Sequence, residues 1–329
     1  MKSYFMQTTA EQATIELREA PLPEPGPQQM LMRMRAASLN RGEFILAHGL
    51  QKPGTSKAIG VEGAGDVVKL GSEVKGFAVG DRVMGRCAGA FSEYALMDAR
   101  EAMAMPDNLT FAEGASIALT SLVVHDMLVL QGRLKAGEWV LVTGVSSGVG
   151  VSSLQMAKVL GAKVIGTSGS QEKLDRLKAE GLDLGIRTRV SDFHGEVLKA
   201  TGGKGVDLVV NTVGGSVFAE CIRCMAFEAR LATVGYVDNT LKAEIDIQAL
   251  HARRLTLFGV SNKQRTAEQR AAGVPAFVAQ MMPMLAAGRM KPVIDRAYSF
   301  DQLPAAKAQM DASGALGKIV LLMPEGAKA

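Results

Sequence analysis

Cysteine and histidine are scarce in this chain, three and four in 329 residues. So small a set provides no disulfide framework and little material for a metal site. Aromatic residues make up only 5%, with a single Trp, which argues against a stacking platform for single-stranded nucleic acid. No large excess of one charge is present either. The net +4 is mild and scattered; it suits an anionic ligand but is too weak for a nucleic-acid surface. Long apolar runs are missing: Ser121–Gln131 is interrupted by His125 and Asp126, so no membrane helix is expected. The first residues, Met1-Lys-Ser-Tyr-Phe-Met-Gln-Thr-Thr9, lack the apolar core of a secretory signal. With so few thiols a reducing compartment, the cytoplasm, is the expectation.

Glycine, by contrast, is abundant: 36 residues, roughly 11% against an average of about 7%. The length favours two domains, and 47% apolar with 21% charged residues is an ordinary globular balance. Up to residue 120 the chain reads as short β segments, Met30–Ala36, Gly65–Leu70, Arg82–Met84 and Phe91–Met97, separated by turn clusters such as Pro21–Pro27 and Gly76–Asp81. This is the rhythm of an antiparallel, barrel-like domain. From Ser121 strands and helices alternate. Helix Ser121–Gln131 leads to strand Trp139–Thr143, helix Gly150–Leu160 and strand Lys163–Thr167. Helices Gln171–Glu180 and Glu196–Thr201, strand Val206–Asn211, helix Val217–Ala226 and strands Arg230–Gly235 and Arg254–Val260 follow. That grammar predicts a doubly wound parallel sheet. After Arg265 come a helix (Val274–Ala287), Pro292–Tyr298 and an apolar strand, Lys318–Leu322. The expected organisation is 1–120 and a return over 266–329 as one domain, with 121–265 inserted.

The most informative stretch is Trp139-Val-Leu-Val-Thr-Gly-Val-Ser-Ser-Gly-Val-Gly150. A buried strand, a Gly/Ser turn and a helix N-terminus form an anion site, where backbone N–H groups and the helix dipole face a pyrophosphate. Ser146, Ser147, Gly148, Val149 and Gly150 are the candidate phosphate contacts, with Gly148 and Gly150 permitting close approach. A glycine turn alone is usually only a turn; the strand before it and the helix after it make it a dinucleotide site.

The next strand runs into Thr167-Ser168-Gly169-Ser170-Gln171-Glu172-Lys173. Enzymes that use NAD commonly end this strand on an acid that accepts from the ribose 2′-OH. Here hydroxyls end it, and Lys173 lies one helical turn on. Ser168, Gly169, Ser170 and Lys173 therefore suit a 2′-phosphate and point to NADPH. The plainer reading makes Ser170 an N-cap and Lys173 a solvated helix residue. The spacing Thr143-Gly144-x-x-x-Gly148-x-Gly150 also occurs in short-chain dehydrogenases, but neither Tyr236 nor Tyr298 has the Lys four residues on that such enzymes need.

A second motif carries a resemblance. Gly60-Val-Glu62-Gly-Ala-Gly65-Asp-Val-Val-Lys-Leu-Gly71-Ser-Glu-Val74 and Gly80-Asp-Arg-Val83 follow Ala36-Ala-Ser-Leu-Asn40-Arg-Gly-Glu43. Together with Asn211-Thr-Val-Gly-Gly215, Ala232-Thr-Val-Gly235 and Gly317-Lys-Ile-Val-Leu321, this resembles the medium-chain dehydrogenase/reductase superfamily, in its zinc-free quinone oxidoreductase-like branch. The resemblance implies an α/β protein, a GroES-like β-barrel catalytic domain plus a Rossmann domain, with the active site in the cleft between them. It also implies a homodimer joined through the Rossmann edge strand Arg254–Val260. Zinc-dependent relatives carry Gly-His-Glu where this chain has Gly60-Val61-Glu62, and Cys ligands at the places of Asn40 and near Leu119. No catalytic zinc is expected on that basis. Cys221 and Cys224 form a C-x-x-C on a predicted helix with no second pair, and read as core packing.

A metal-free site favours an already electron-poor acceptor, a quinone or an α,β-unsaturated carbonyl, in which charge delocalises onto oxygen. Asn40 is the candidate donor to that oxygen, although Asn can equally cap a turn. Glu43 and His125 are lesser candidates. By the resemblance, Asn211 and Gly214 lie under the adenosine or ribose, Gly235 near the nicotinamide ribose, and Phe258 and Val260 at the carboxamide. Arg187 and Arg189 flank Thr188, which stands where many relatives carry Tyr, and Val123 stands where many carry Thr. The rival readings are an enoyl-thioester reductase and a low-turnover NADPH-binding protein with a regulatory or RNA-binding role.

Overall fold

The computed structural model describes residues 1–8, 13–44 and 54–324. They form two compact units. One takes the described residues of Met1–Leu122, Lys263–Gly288 and Ile294–Ala329; the other takes Val123–Asn262 and Arg289–Val293.

The chain opens with β1 (Lys2–Thr8), β2 (Ala13–Glu19), β3 (Gln29–Ser38), β4 (Ser56–Ala58), β5 (Glu62–Leu70), β6 (Arg82–Ala88) and β7 (Tyr94–Ala104). Strand β3 is the hub. Its even residues Met30, Met32 and Met34 are fully buried while Arg33 and Arg35 stay half-exposed, the period-2 pattern of a strand with one face on a core. It pairs antiparallel with β5 over Met30–Ala37 and with β7 over Gln29–Arg33. Pairings β5–β6 and β6–β7 complete a sheet that closes on itself, which leaves few free edges. The closure needs glycine: a Cβ on Gly65 would sit 2.1 Å from the Arg33 carbonyl oxygen. The first three strands of the reading are present with longer bounds, while β1 and β2 have no counterpart in it. From the sequence, a loop around Asn40–Leu50 is expected to line the substrate pocket; residues 45–50 of it lie outside the described residues.

Helix α1 (Phe111–His125) follows, starting ten residues before the expected Ser121. Its start is a capping box: Glu113 N–H donates to Thr110 Oγ1 at 3.2 Å, and Thr110 N–H donates to Glu113 Oε2 at 2.8 Å. The helix runs on through a wider turn over Asp126–Leu130. The 20-residue stretch Phe111–Leu130 is long and apolar enough to cross a membrane by length and composition alone. That corrects the expectation that no such stretch exists; its 67% burial within the fold is what a core helix shows.

Next come β8 (Trp139–Thr143), α2 (Gly148–Val159), β9 (Lys163–Ser168), α3 (Gln171–Lys178), β10 (Leu184–Arg187), α4 (His194–Ala200), β11 (Val206–Asn211), α5 (Phe218–Cys224), β12 (Met225–Thr233), α6 (Ile247–Ala252) and β13 (Thr256–Gly259). The sheet order is β10-β9-β8-β11-β12-β13, with every pair parallel. Val140, Leu141, Val142, Ile165, Val209 and Val210 are fully buried, as parallel strands covered on both faces require. The strand order reverses between β8 and β11, so their carboxyl ends form the crevice where doubly wound sheets take ligands. The helix expected over Val217–Ala226 is shorter in the fold: α5 stops at Cys224 and Met225 already belongs to β12.

The chain closes with α7 (Ala267–Ala271), α8 (Val274–Ala286), β14 (Ile294–Ser299), α9 (Leu303–Asp311) and β15 (Lys318–Leu322). Strand β15 pairs antiparallel with β3, placing Val320 opposite Ser38, and parallel with β14. The last strand thus completes the sheet begun by the first hundred residues.

Candidate cofactor and substrate sites

In the second unit β8 ends at Thr143, and the chain turns through Gly144, whose φ of +65° lies in the left-handed region. Ser147 caps α2, its Oγ accepting from the Gly150 N–H at 3.0 Å. A Cβ on Gly150 would lie 2.5 Å from the Gly144 carbonyl oxygen and 2.6 Å from that of Val145. Only glycine lets the helix start this close to the strand. Ser146, Gly148 and Val149 remain half-exposed and Ser147 exposed, so a helix N-terminus with accessible backbone stands at the switch point. This cradle fits the pyrophosphate of a dinucleotide.

At the end of β9, Ser168 Oγ lies 3.2 Å from Ser146 Oγ, which ties the second strand end to the loop. Ser170 caps α3 by accepting from the Lys173 N–H at 3.3 Å, and Lys173 is half-exposed on the first turn. The position of a Cβ on Gly169 would fall 2.6 Å from both Cζ and Nε of Arg189. The guanidinium of Arg189 therefore covers Gly169, where an acid would stand in an NAD-type strand end. Arg187 is exposed at the end of β10. Thr188 is folded into a turn, donating to Asp192 Oδ1 at 2.5 Å.

Asn211 is buried and organises the loop after β11 rather than facing outward. Its Oδ1 accepts from Thr143 Oγ1 and from the Val213 and Gly214 N–H groups, each at 3.1 Å. Its Nδ2 donates to the Gly214 carbonyl at 2.9 Å. Gly214 has φ +131°, and a Cβ there would meet Asp238 Oδ1 at 2.1 Å. What this loop offers a ligand is backbone shaped by Asn211. Gly235 follows β12 with only an ordinary contact to the Thr212 carbonyl, and Phe258 and Val260 bracket the end of β13.

The first unit holds a buried polar cluster at the end of β3. Glu62 on β5 is completely buried and Lys318 on β15 nearly so; Nζ lies 2.8 Å from Glu62 Oε1. Oε1 also accepts from Ser38 Oγ at 2.7 Å and Asn40 Nδ2 at 2.8 Å. Oε2 accepts from the Leu119 N–H at 2.7 Å. Lys318 donates in addition to Asn40 Oδ1 at 2.8 Å and to Thr120 Oγ1 at 3.2 Å. Burial alone would raise the Glu62 carboxyl, but the charge of Lys318 and the bonds from Lys318, Ser38 and Asn40 hold it below the usual range.

Asn40 Nδ2 also donates to Glu43 Oε1 at 3.0 Å. Both its amide hydrogens are thus engaged, and a substrate oxygen takes one only by displacing Glu43. Glu43 is buried on the turn Arg41–Glu43, and its Oε2 has no hydrogen-bond partner among the described residues. Burial chiefly, with the charge of Glu62, pushes it up to about 8 against the pull of Asn40 and Lys318. Near neutral pH it is a carboxylic acid with one unpartnered oxygen. His125 lies buried at the end of α1, and Val123 precedes it on the same helix.

Sequence reading passed over Glu62, Lys318, Ser38 and Thr120 as site residues. The signals were a carboxylate at the head of a glycine-rich strand and a lysine opening an otherwise apolar one. A zinc ion does not fit these residues. Val61 and Leu119 offer no ligating side-chain atom, Asn40 Oδ1 is taken by Lys318, and burial pushes the Cys87 thiol up to about 12. Among the described residues no three His, Cys, Asp or Glu side chains gather as a metal site would. Cys221 and Cys224 are buried, with thiols held protonated by burial.

Two family models match the chain, an alcohol dehydrogenase GroES-like domain over residues 26–107 and a zinc-binding dehydrogenase over 148–277. The chain is 32% identical, over 92% of its length, to a highly reducing polyketide synthase of Emericella nidulans, of which it spans only 12%. It is 28% identical to the quinone oxidoreductase of Rattus norvegicus, covering 92% of this chain and 91% of that one. A mycobacterial protein solved in complex with NADPH superposes with a TM-score of 0.86 at 26% identity, covering 98% of this chain and 99% of that one. The closed barrel-like sheet, the parallel sheet with its glycine loop and these matches agree: the chain belongs to the medium-chain dehydrogenase/reductase superfamily of oxidoreductases.

Proposed function

We propose that this protein is a zinc-independent reductase that uses NADPH to reduce quinones or α,β-unsaturated carbonyls. The observation that carries the reading is the cluster around Asn40. Where zinc relatives place a metal, this chain offers an amide, a proton-bearing Glu43 and a lysine already paired with Glu62. Such groups orient a carbonyl and hold a proton, but they do not polarise an isolated alcohol or ketone as a Lewis acid would. A conjugated acceptor needs less polarisation, because its charge spreads onto oxygen as it is reduced. When bound, the reduced nicotinamide supplies the hydride.

The residues then divide the work. The backbone of Ser146–Gly150 holds the pyrophosphate, and Ser168, Gly169, Ser170, Lys173 and Arg189 receive the 2′-phosphate, with Arg187 beside them. Asn211 shapes the loop that Gly214 presents to the adenosine ribose; Gly235, Phe258 and Val260 serve the nicotinamide end. Asn40 holds the acceptor oxygen once Glu43 releases it, and Glu43 keeps the proton that oxygen or its neighbouring carbon needs. Residues 1–120 and 266–329 form the catalytic domain and 121–265 the cofactor domain, in a soluble cytoplasmic homodimer joined through β13.

A steady-state panel tests the proposal: NADPH and NADH against quinones, enones and saturated aldehydes. Turnover is expected with NADPH and the first two classes. Tight NADPH binding without turnover on any acceptor would defeat the enzyme reading and favour a regulatory NADPH-binding role. Similarity to the polyketide synthase supports a second reading, an enoyl-thioester reductase. A crotonyl thioester turned over faster than any quinone would select it.

A further inference from the structure

Arg86 on β6 stands directly opposite Glu62 in the β5–β6 ladder. Residues so paired share one face of the sheet, so Arg86 shares the face on which Glu62 meets Asn40 and Lys318. Its side chain is half-buried, yet its guanidinium makes neither a hydrogen bond nor an ion pair within the described residues. The neighbouring charges are already matched. Glu101 on β7 is held by Arg270 on α7 through Nε at 2.9 Å and a terminal nitrogen at 2.8 Å. Arg270 gives its other terminal nitrogen to the Arg265 carbonyl at 2.7 Å. Glu62 is paired with Lys318, and Asp98 with Arg100.

Glu43 is neutral near pH 7. Among the described residues that leaves Arg86 as a positive charge without a counter-ion, and Glu43 with a buried carboxyl oxygen that has no partner there. Residues 45–53, which follow Glu43 in the chain, contain no Asp or Glu. Burial and the charge of Arg270 push the guanidinium below the ordinary arginine value, against the pull of Glu101 and Glu43. Taking a charge partly out of water without a partner costs free energy, which an anionic ligand group would recover.

We infer that Arg86 is an anion-binding residue of the substrate site, taking a negatively charged oxygen of the acceptor. This rests on the reductase reading for its setting. The charged oxygen has two sources of one chemistry, a carboxylate borne by the acceptor from the start or the oxygen that gains charge as the acceptor is reduced. A guanidinium serves either with a charge-assisted hydrogen bond.

The test uses the full chain with Arg86→Gln and Arg86→Lys. Binding of benzoate and of its neutral isostere benzamide is followed by NMR titration. Steady-state rates with NADPH are measured on a matched pair, an enone and its carboxylate-bearing analogue. For a ground-state carboxylate, the unmodified chain binds benzoate about tenfold more tightly than benzamide. Arg86→Gln then erases that preference and raises KM about tenfold for the carboxylate acceptor alone, and Arg86→Lys keeps part of it. For charge developing on the acceptor, Arg86→Gln lowers kcat about tenfold or more on the neutral enone, and Arg86→Lys restores part. Neither pattern, or a lowered thermal midpoint in Arg86→Gln with both benzoate affinity and kcat on the enone unmoved, would overturn the inference. The benzoate arm needs no turnover, so an unmodified chain inactive on every acceptor defeats the reductase reading and leaves this one to the titration.

Discussion

Near neutral pH the Glu43 carboxyl keeps its proton, because burial penalises its anion and Glu62 repels it. A carboxyl raised in the folded state stabilises the fold below its unfolded value of 4.5 and loses that contribution as pH rises through about 8. The unfolding free energy from urea titration should therefore fall between pH 5 and 9, by on the order of 5 kcal/mol at most, and Glu43→Gln should flatten that slope. If Glu43 holds the proton as proposed, kcat on an enone should decline above pH 8, and Glu43→Gln should lower it about 100-fold with no such decline. Glu62 has the opposite sign, its contribution lost as acid protonates it. Removing its partner with Lys318→Met leaves a buried carboxylate uncompensated and should cost about 3–5 kcal/mol, read as a lowered urea midpoint; Glu62→Gln in the same chain should recover part. None of this was legible beforehand. Asn40 and Glu43 were found by their place in a motif, whereas Lys318 lies 256 positions from Glu62 and only folding joins them.

Among the elements, the turn from β8 into α2 was the most readable, because strand, glycine turn and helix start are encoded within a dozen consecutive residues. Gly150→Ala places a methyl 2.5 Å from a backbone oxygen and should cost about 1–3 kcal/mol, with loss of cofactor binding in a fluorescence titration. In the proposed reading the end of β9 sets the preference for NADPH over NADH. Lys173→Ala and Arg189→Ala should each weaken NADPH about tenfold while leaving NADH unchanged; equal losses for both cofactors would remove the 2′-phosphate role. Arg189 was a flanking residue in the sequence, and its guanidinium over Gly169 became visible only once β9 and β10 were paired. The start of α1 illustrates a different gap. Thr110-Phe-Ala-Glu113 is a capping box written in the chain, but the uniformly apolar run behind it has no helical stripe, since α1 is buried on most sides.

On the scale of the whole molecule, one edge of the parallel sheet ends in β13, hydrogen-bonded to a neighbouring strand on one side only. A homodimer through that edge predicts twice the monomer mass in sedimentation, and Thr256→Pro, at an exposed position of the strand, should return the monomer while keeping NADPH affinity. The fold class was readable, since period-2 segments, alternating strands and helices, and a terminal apolar strand are local patterns. The sequence by itself determined the glycine turn proposed to hold phosphate, because that chemistry would use backbone groups of one contiguous turn. Only the tertiary structure decided the charge state of the Asn40 cluster and left Arg86 without a partner among the described residues. Burial, desolvation and ion pairing depend on β3, β5, β6, β7 and β15 closing around one another, and no run of neighbouring residues contains that information.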